Sequence, residues 1–265
     1  MPIPSAVGEL VDSHAHLDME DFDRDRDRVL EKARENGVTA VLCPAELTHP
    51  TSLTTLLELA RRHPEVALAA GVHPHRAKHF EPEHLRTIRE LASSRAICGL
   101  GEIGLDFHYD FSPAEAQRRA FRSQILLARE LNLPVIIHTR KAGSEAADIL
   151  EEAGYAGRGV LHCYTETWDL ARRMLDRDFL VSFTGIITFP KAEDIREVAR
   201  RIPLDRLMVE TDSPYLVPVP WRGRMKRNEP RLVADVARAL AEVKGVPLQV
   251  LAEATTRNFH ALFSV

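Results

Sequence analysis

Short runs of apolar, often β-branched residues alternate with longer stretches of mixed polarity along the chain, about every 25–30 residues. Nearly continuous apolar runs of this length are typical of parallel strands that are covered on both faces. Strands are therefore predicted at residues 9–14, 39–44, 66–72, 96–102, 134–139, 159–164, 179–184 and 206–211. The stretches between them have helical patterns, so the chain is predicted to consist of consecutive βα units.

The clearest predicted helix covers residues 112–131. Ser112 is suited to the N-cap and Pro113 to the first helical position, and Phe121 belongs to an apolar stripe along one face. A last helix is predicted for residues 247–263, after the eighth unit.

Eight βα units in 265 residues predict an α/β fold, a single-domain (β/α)8 TIM barrel that spans residues 1–265. A doubly wound parallel sheet is the alternative fold. That fold more naturally carries a glycine-rich phosphate loop after its first strand, whereas residues 14–20 here read HAHLDME. The barrel is therefore the preferred prediction.

Composition and charge narrow the class of protein. With 45% hydrophobic residues, 28% charged residues and a net charge of −4, the chain is neither disordered nor suited to coating nucleic acid non-specifically. Any nucleic-acid contact is expected to be local. The three cysteines give no disulfide framework, and neither a signal peptide nor a membrane span is recognisable. We therefore expect a cytoplasmic protein without a membrane partner.

Potential metal ligands recur at the predicted carboxyl ends of the strands, where a barrel carries its active site. In the segment VDSHAHLD, His14 and His16 are two residues apart, a spacing that directs strand side chains to one side. The other strand ends present His73, Glu102, His138, His162 and Asp212. Imidazoles and carboxylates together favour divalent ions such as Mg²⁺, Mn²⁺ or Zn²⁺.

The candidate ligands exceed what one tetrahedral ion requires. They are His14, His16, Glu102, His138, His162 and Asp212. Two divalent ions bridged by Glu102 would activate water, and Asp212 could accept its proton, which indicates metal-assisted hydrolysis. Cys163, next to His162, is expected to face the opposite side of its strand and to pack as a small hydrophobe.

Several segments carry a family resemblance: DSHAHLD, AGVHPH, GEIGLDF, VIIHTR, LHCY, VETDSPYL and KRNEP. Together they resemble the TatD family of metal-dependent deoxyribonucleases, a branch of the amidohydrolase-type barrels. The resemblance covers the chain from residue 9 to near its end. It implies a (β/α)8 fold, two divalent ions and hydrolysis of DNA phosphodiester bonds, in some members as a 3′–5′ exonuclease on single strands.

The resemblance also implies individual roles. His14, His16 and Asp212 would hold the first ion, His138 and His162 would hold the second, and Glu102 would bridge the two. Asp212 would also act as the base, and His73 would contact the scissile phosphate. No lysine closes the fourth predicted strand, so a carboxylated-lysine bridge is not expected.

The chain departs from the family pattern in residues 218–230, PVPWRGRMKRNEP. Trp221 stands where the family usually has a histidine, and the basic segment is about two residues longer. Trp221 is expected either to stack on a base or to pack under its own loop. Arg222 and Arg224 would supply a local positive patch, and Arg140 would meet phosphate oxygens.

The primary functional prediction is a nuclease that acts on single-stranded DNA or strand ends, without an obligate protein partner. The alternative is a barrel hydrolase of another ester or amide, such as a small phosphoester, a lactone or an aminoacyl ester, because a metal pair activates water for either reaction. A third hypothesis is a non-enzymatic scaffold, against which the complete set of ligands argues.

Overall fold

The computed structural model of the protein describes residues 9–265. Its strands are β1 (Leu10–Asp12), β2 (Val38–Glu46), β3 (Val66–Gly71), β4 (Gly99–Asp106), β5 (Val135–Arg140), β6 (Gly159–Leu161), β7 (Leu180–Phe183) and β8 (Leu207–Val209). The α-helices are α1 (Arg26–Glu35), α2 (Ser52–Arg62), α3 (Pro82–Ser93), α4 (Ala114–Leu131), α5 (Gly143–Glu152), α6 (Trp168–Leu175), α7 (Glu193–Arg201), α8 (Val233–Lys244) and α9 (Leu248–Phe263). Among residues 9–265, no helix is both long enough and apolar enough to cross a bilayer.

The strands form one parallel sheet in the order β1 to β8, which curls into a nearly closed barrel. Hydrogen bonds connect its two ends: the Ser13 amide donates to the Val209 carbonyl (3.1 Å), and the Asp212 amide donates to the His14 carbonyl (2.9 Å). The predicted (β/α)8 barrel is confirmed, and the doubly wound alternative is wrong.

Apolar side chains fill the barrel interior near the amino-terminal ends of the strands. Val11, Ile136, Val160, Leu180 and Met208 belong to a cluster of strand residues that also includes Phe259, Leu262 and Phe263 of α9. Helix α9 therefore covers the amino-terminal end of the barrel.

A polar layer lies above this apolar layer. Ser13, His138, His162, Ser182 and Glu210 each come two residues after one of the apolar strand residues. His138 and Ser182 lie on their strands, so alternation directs them to the same interior side as Ile136 and Leu180. The other three lie just beyond their strands, and contacts place them in the same layer: the Ser13 and Ser182 hydroxyls donate to Glu210, which also contacts His162. The barrel therefore changes from apolar to polar towards the carboxyl ends of its strands, where the candidate ligands were predicted.

Strand β4 differs from its prediction. It runs to Asp106, so Glu102 lies inside the strand and not at its end. The pairing of β4 with β5 is irregular between Leu100 and Ile103, which both pack in the core outside the sheet. Regular alternation would have placed Glu102 on the same side as Leu100, but the irregularity turns it inward.

The start of α4 is also corrected by one residue. The N-cap is Pro113, whose backbone is extended, and the helix begins at Ala114. The Ser112 hydroxyl donates instead to the His75 carbonyl, at 2.8 Å, so the predicted Ser112 cap is wrong.

Candidate metal centre

Glu102 lies at the centre of a cluster of imidazoles. Its Oε2 atom is 3.2 Å from His14 Nε2 and 3.6 Å from His16 Nε2. His16 Nε2 is also 3.3 Å from Asp212 Oδ1. Although β1 ends at Asp12, both histidines beyond it turn to the same carboxylate oxygen.

The second oxygen of Glu102 faces the other half of the barrel. Its Oε1 atom is 2.7 Å from His162 Nε2, 3.0 Å from His138 Nδ1 and 3.2 Å from His73 Nε2. One buried carboxylate thus connects imidazoles from opposite sides of the barrel, as a bridging ligand must.

The donor set fits divalent metal ions. Two groups of three potential ligands, each within 4.8 Å of one another, share Glu102: His14, His16 and Glu102 form one, and His73, Glu102 and His138 form the other. His14 Nε2 and His16 Nε2 are only 3.3 Å apart, and His138 Nδ1 and His162 Nε2 are 3.4 Å apart. Ring nitrogens converging beside a carboxylate are the ligands that such cations prefer.

The electrostatics of the cluster couple metal binding to proton release. Although burial opposes their charge, neighbouring carboxylates raise the pKa of His16 to about 9 and also raise the pKa values of His138 and His162, so a cation would displace protons from these rings. Burial opposes the charge of Glu102, but the imidazoles of His162 and His73 outweigh it and hold the pKa of this carboxyl well below its usual range. Burial and the neighbouring His162 lower the pKa of His14. An ionised carboxylate and a neutral imidazole are the forms that bind a cation.

A family model described as "TatD related DNase" matches residues 11–264. The chain belongs to the TatD family of metal-dependent hydrolases. A relative from Escherichia coli (strain K12), "Uncharacterized metal-dependent hydrolase YcfH", is 43% identical over 97% of this chain and 96% of its own length. The "3'-5' ssDNA/RNA exonuclease TatD" of Erwinia tasmaniensis is 36% identical over 97% of this chain and all of its own length, 100%.

A solved structure supports the same assignment. The crystal structure of the TatD homolog YJJV from Escherichia coli K12 superposes with a TM-score of 0.89 at 28% sequence identity. It covers 98% of this chain and 99% of its own. The predicted TatD resemblance and hydrolase class are therefore confirmed.

Asp106 belongs to this TatD site, although it was not among the predicted residues. Its Oδ2 atom is 3.1 Å from His138 Nε2 and 2.8 Å from His75 Nε2. It therefore holds the ring nitrogen of His138 that does not face Glu102. Asp106 stands in the same GEIGLDF segment, but the prediction ended the strand at residue 102 and so excluded it.

Glu210 is a second carboxylate that the prediction missed. Its Oε1 atom is 3.3 Å from His162 Nδ1, and its Oε2 atom accepts the Ser182 hydroxyl at 2.6 Å. It lies two residues before Asp212, and this spacing was the available signal. Carboxylates behind metal-binding histidines fix the orientation and basicity of the rings.

Cys163 does not lie on a strand, because β6 ends at Leu161. The argument from strand alternation is therefore wrong. Its thiol is 3.7 Å from the Thr184 hydroxyl, and burial raises its pKa well above the usual value. A raised thiol pKa opposes the thiolate form, which is the nucleophile.

The predicted substrate-binding residues at the rim lie farther out. The Trp221 indole donates to Asp235 Oδ2 of α8, at 2.8 Å, which ties the side chain down beside its loop. The Arg222 guanidinium lies 4.1 Å from the ring centre of Phe189, and Arg224 is exposed. Among residues 9–265, none of these three side chains hydrogen-bonds or ion-pairs with the Glu102 cluster.

Proposed function

We propose that this TatD family hydrolase cleaves phosphodiester bonds of single-stranded DNA from the 3′ end, with two divalent ions bound at Glu102. The observation that carries the proposal is the placement of Glu102, whose two oxygens face separate groups of imidazoles. The name of the Erwinia tasmaniensis relative, an ssDNA/RNA exonuclease, supports the substrate class.

In this proposal, His14, His16 and Asp212 would hold the first ion, His138 and His162 would hold the second, and Glu102 would serve both. Divalent ions held there would lower the pKa of a water molecule and polarise a phosphate oxygen. Asp212 accepts the proton of the attacking water. Its side chain is 14% exposed against 6% for Glu102, so it is the more accessible of the two carboxylates.

His73 is suited to donate a hydrogen bond to the scissile phosphate. Its Nδ1 atom accepts the His75 amide at 3.1 Å, so a neutral ring carries its proton on Nε2. Burial lowers the pKa of His73 to about 4, so the ring is neutral at pH 7. Its Nε2 atom lies 3.2 Å from Glu102 Oε1.

The charge distribution supports binding of a strand end. The net charge is −4, yet Arg222 and Arg224 are exposed on the β8–α8 loop and Arg140 ends β5. A local basic rim around a metal pocket matches one strand of nucleic acid better than a duplex surface. The proposed setting is the cytoplasm, with no obligate protein partner.

Degradation of end-labelled single-stranded DNA tests the proposal. With Mg²⁺ or Mn²⁺, a 5′-labelled oligonucleotide should give a ladder of shortened products, and a 3′-labelled one should lose its label at once. Glu102→Ala should abolish both signals. Turnover of a lactone or small ester by a protein that leaves DNA intact would overturn the proposal and favour the alternative hydrolase.

A further inference from the structure

Two exposed aromatic side chains stand on the segment between β4 and α4. Tyr109 is 42% exposed and Phe111 is 53% exposed. Their rings are stacked, with centres 5.2 Å apart and planes inclined by 23°. Large aromatic rings left exposed side by side are typical of binding surfaces.

The aromatic pair adjoins the candidate metal centre. The ring centre of His75 lies 4.8 Å from that of Phe111 and 5.6 Å from that of Tyr109, edge-on in both cases. His75 Nε2 is 2.8 Å from Asp106 Oδ2, and the same oxygen is 3.1 Å from His138 Nε2. The pair is thus connected to a proposed ligand through two side chains.

The segment that carries the aromatic pair is held at both ends. The Asp106 carboxylate accepts the Tyr109 amide at 3.1 Å, which closes a turn at the start of the segment. The Gln117 amide group donates to the carbonyls of Asp106 (3.0 Å) and Ser112 (2.9 Å). Two rings held by such contacts present a preformed surface, so little ordering is needed on binding.

Positive charge accompanies the aromatic pair. The Arg140 guanidinium lies 4.8 Å from the ring centre of Tyr109, so Arg140, Tyr109 and Phe111 place three planar groups together. Lys141 follows Arg140 and is exposed, and Asp110 is the single acidic residue in 107–113. Within residues 9–265, neither Arg140 nor Lys141 forms an ion pair, so both charges are available to an anionic ligand.

We infer that Phe111, supported by Tyr109, is a stacking platform for a base of single-stranded nucleic acid close to the cleaved bond. Arg140 and Lys141 then lie beside the phosphates of the same strand. Flat rings adjoining unpaired cations match a polymer that alternates flat bases with phosphates, and such stacking is independent of base identity. The inference rests on the proposed nuclease function and adds the residue that holds the substrate.

The test combines a variant enzyme with a modified substrate. Each nucleotide near the 3′ end of an oligonucleotide is replaced in turn by an abasic residue, and KM and kcat are measured for wild type and Phe111→Leu. At one position, loss of the base should raise the wild-type KM about tenfold, a typical effect of losing one stacked base. Phe111→Leu should raise KM equally for the intact strand but not for that abasic strand.

Two further variants control for folding and for surface change. Phe111→Trp keeps a flat ring and should retain the wild-type KM. Leu126→Ala removes an exposed apolar side chain from α4, which is 40% exposed, and should change nothing. Leu126→Ala should also keep the wild-type kcat, and all variants should keep the wild-type melting temperature.

The outcomes separate the two proposals. If wild type degrades DNA but Phe111→Leu alters KM for intact and abasic strands alike, or for neither, the platform is wrong and the nuclease proposal stands. If wild type degrades no oligonucleotide and hydrolyses a lactone or small ester, the nuclease proposal fails and the platform fails with it.

Discussion

Each of two central histidines contacts a carboxylate through both of its ring nitrogens. His138 lies between Glu102 and Asp106, and His162 lies between Glu102 and Glu210. Each outer carboxylate lies beside the ring nitrogen that faces away from Glu102. Their contribution is to select which nitrogen of each ring carries the proton and to hold the ring in place.

Glu210→Gln should weaken metal binding by about 10- to 100-fold, because an amide polarises the His162 ring less than a carboxylate does. Competition with a chromogenic chelator measures the affinity, and initial rates should fall in parallel at limiting metal. Glu242→Gln, the same change at an exposed position of α8, is the matched control. Equal metal affinity in both variants would contradict the role assigned to Glu210.

Cys98 should make the free energy of unfolding fall as the pH becomes alkaline. Burial raises the pKa of its thiol to about 12, so the folded protein retains the proton after the unfolded chain has lost it. The contribution of the buried, protonated thiol to the free energy of unfolding is therefore complete below the ordinary thiol pKa, about 8.5. It is lost as the pH rises towards 12, at up to about 1.4 kcal/mol per pH unit.

Urea unfolding at several values from about pH 8 to about pH 10 measures this contribution. The free energy of unfolding should fall more steeply with pH for wild type than for Cys98→Ala. The difference between the two curves excludes the effect of other groups that titrate at alkaline pH, because both proteins contain them. Two parallel curves would show that the Cys98 thiol is not protected by burial.

Strand β4 is the element that brings the cluster together. Its irregular pairing with β5 between Leu100 and Ile103 turns Glu102 into the barrel and leaves Asp106 on the interior side as well. The close approach of the two strands requires glycine at position 104. A Cβ atom on Gly104 would lie 2.0 Å from the His138 carbonyl oxygen, and its φ is +145°.

Gly104→Ala should therefore destabilise the protein by at least about 1–3 kcal/mol and displace His138, because both the contact and the backbone angle exclude a side chain. Thermal unfolding and metal-dependent hydrolysis would both report the loss. Gly223→Ala is the control, since its φ is +80° but no atom lies within 4 Å of the added Cβ. Similar losses in the two variants would mean that backbone angle alone matters.

The two ends of the barrel interior differ in polarity. The interior near the amino-terminal ends of the strands is apolar and closed by α9. The interior near their carboxyl ends contains the buried carboxylates and imidazoles. Burying charged groups costs free energy unless opposite charges accompany them. Bound cations would add to the compensation that the neighbouring imidazoles provide, so metal content should affect the stability of the entire fold.

Removal of metal with EDTA should lower the melting temperature, and adding back Mn²⁺ or Zn²⁺ should restore it. Free ion at about 100 times its dissociation constant contributes about 2.7 kcal/mol, which corresponds to roughly 5–10 °C for a chain of this size. Differential scanning calorimetry measures the shift. Glu102→Ala should show a much smaller one, and an equal shift in that variant would place the ions elsewhere.

The barrel and the positions of most cluster residues could be predicted from the sequence. Apolar runs and helical stretches depend on local burial, so their order predicted eight βα units, and parallel strands must collect their carboxyl ends at one rim. That rule alone predicted five histidines at this rim: His14, His16, His73, His138 and His162.

Features that depend on a neighbour distant in sequence could not be predicted in this way. Glu102 faces inward because of how β4 pairs with β5, and Glu210 matters because His162 comes from another strand. Trp221 is tied down because α8 brings Asp235 to its indole. Periodicity reports which face of an element is buried, but partners across the barrel are chosen by packing and hydrogen bonds, which no local pattern contains.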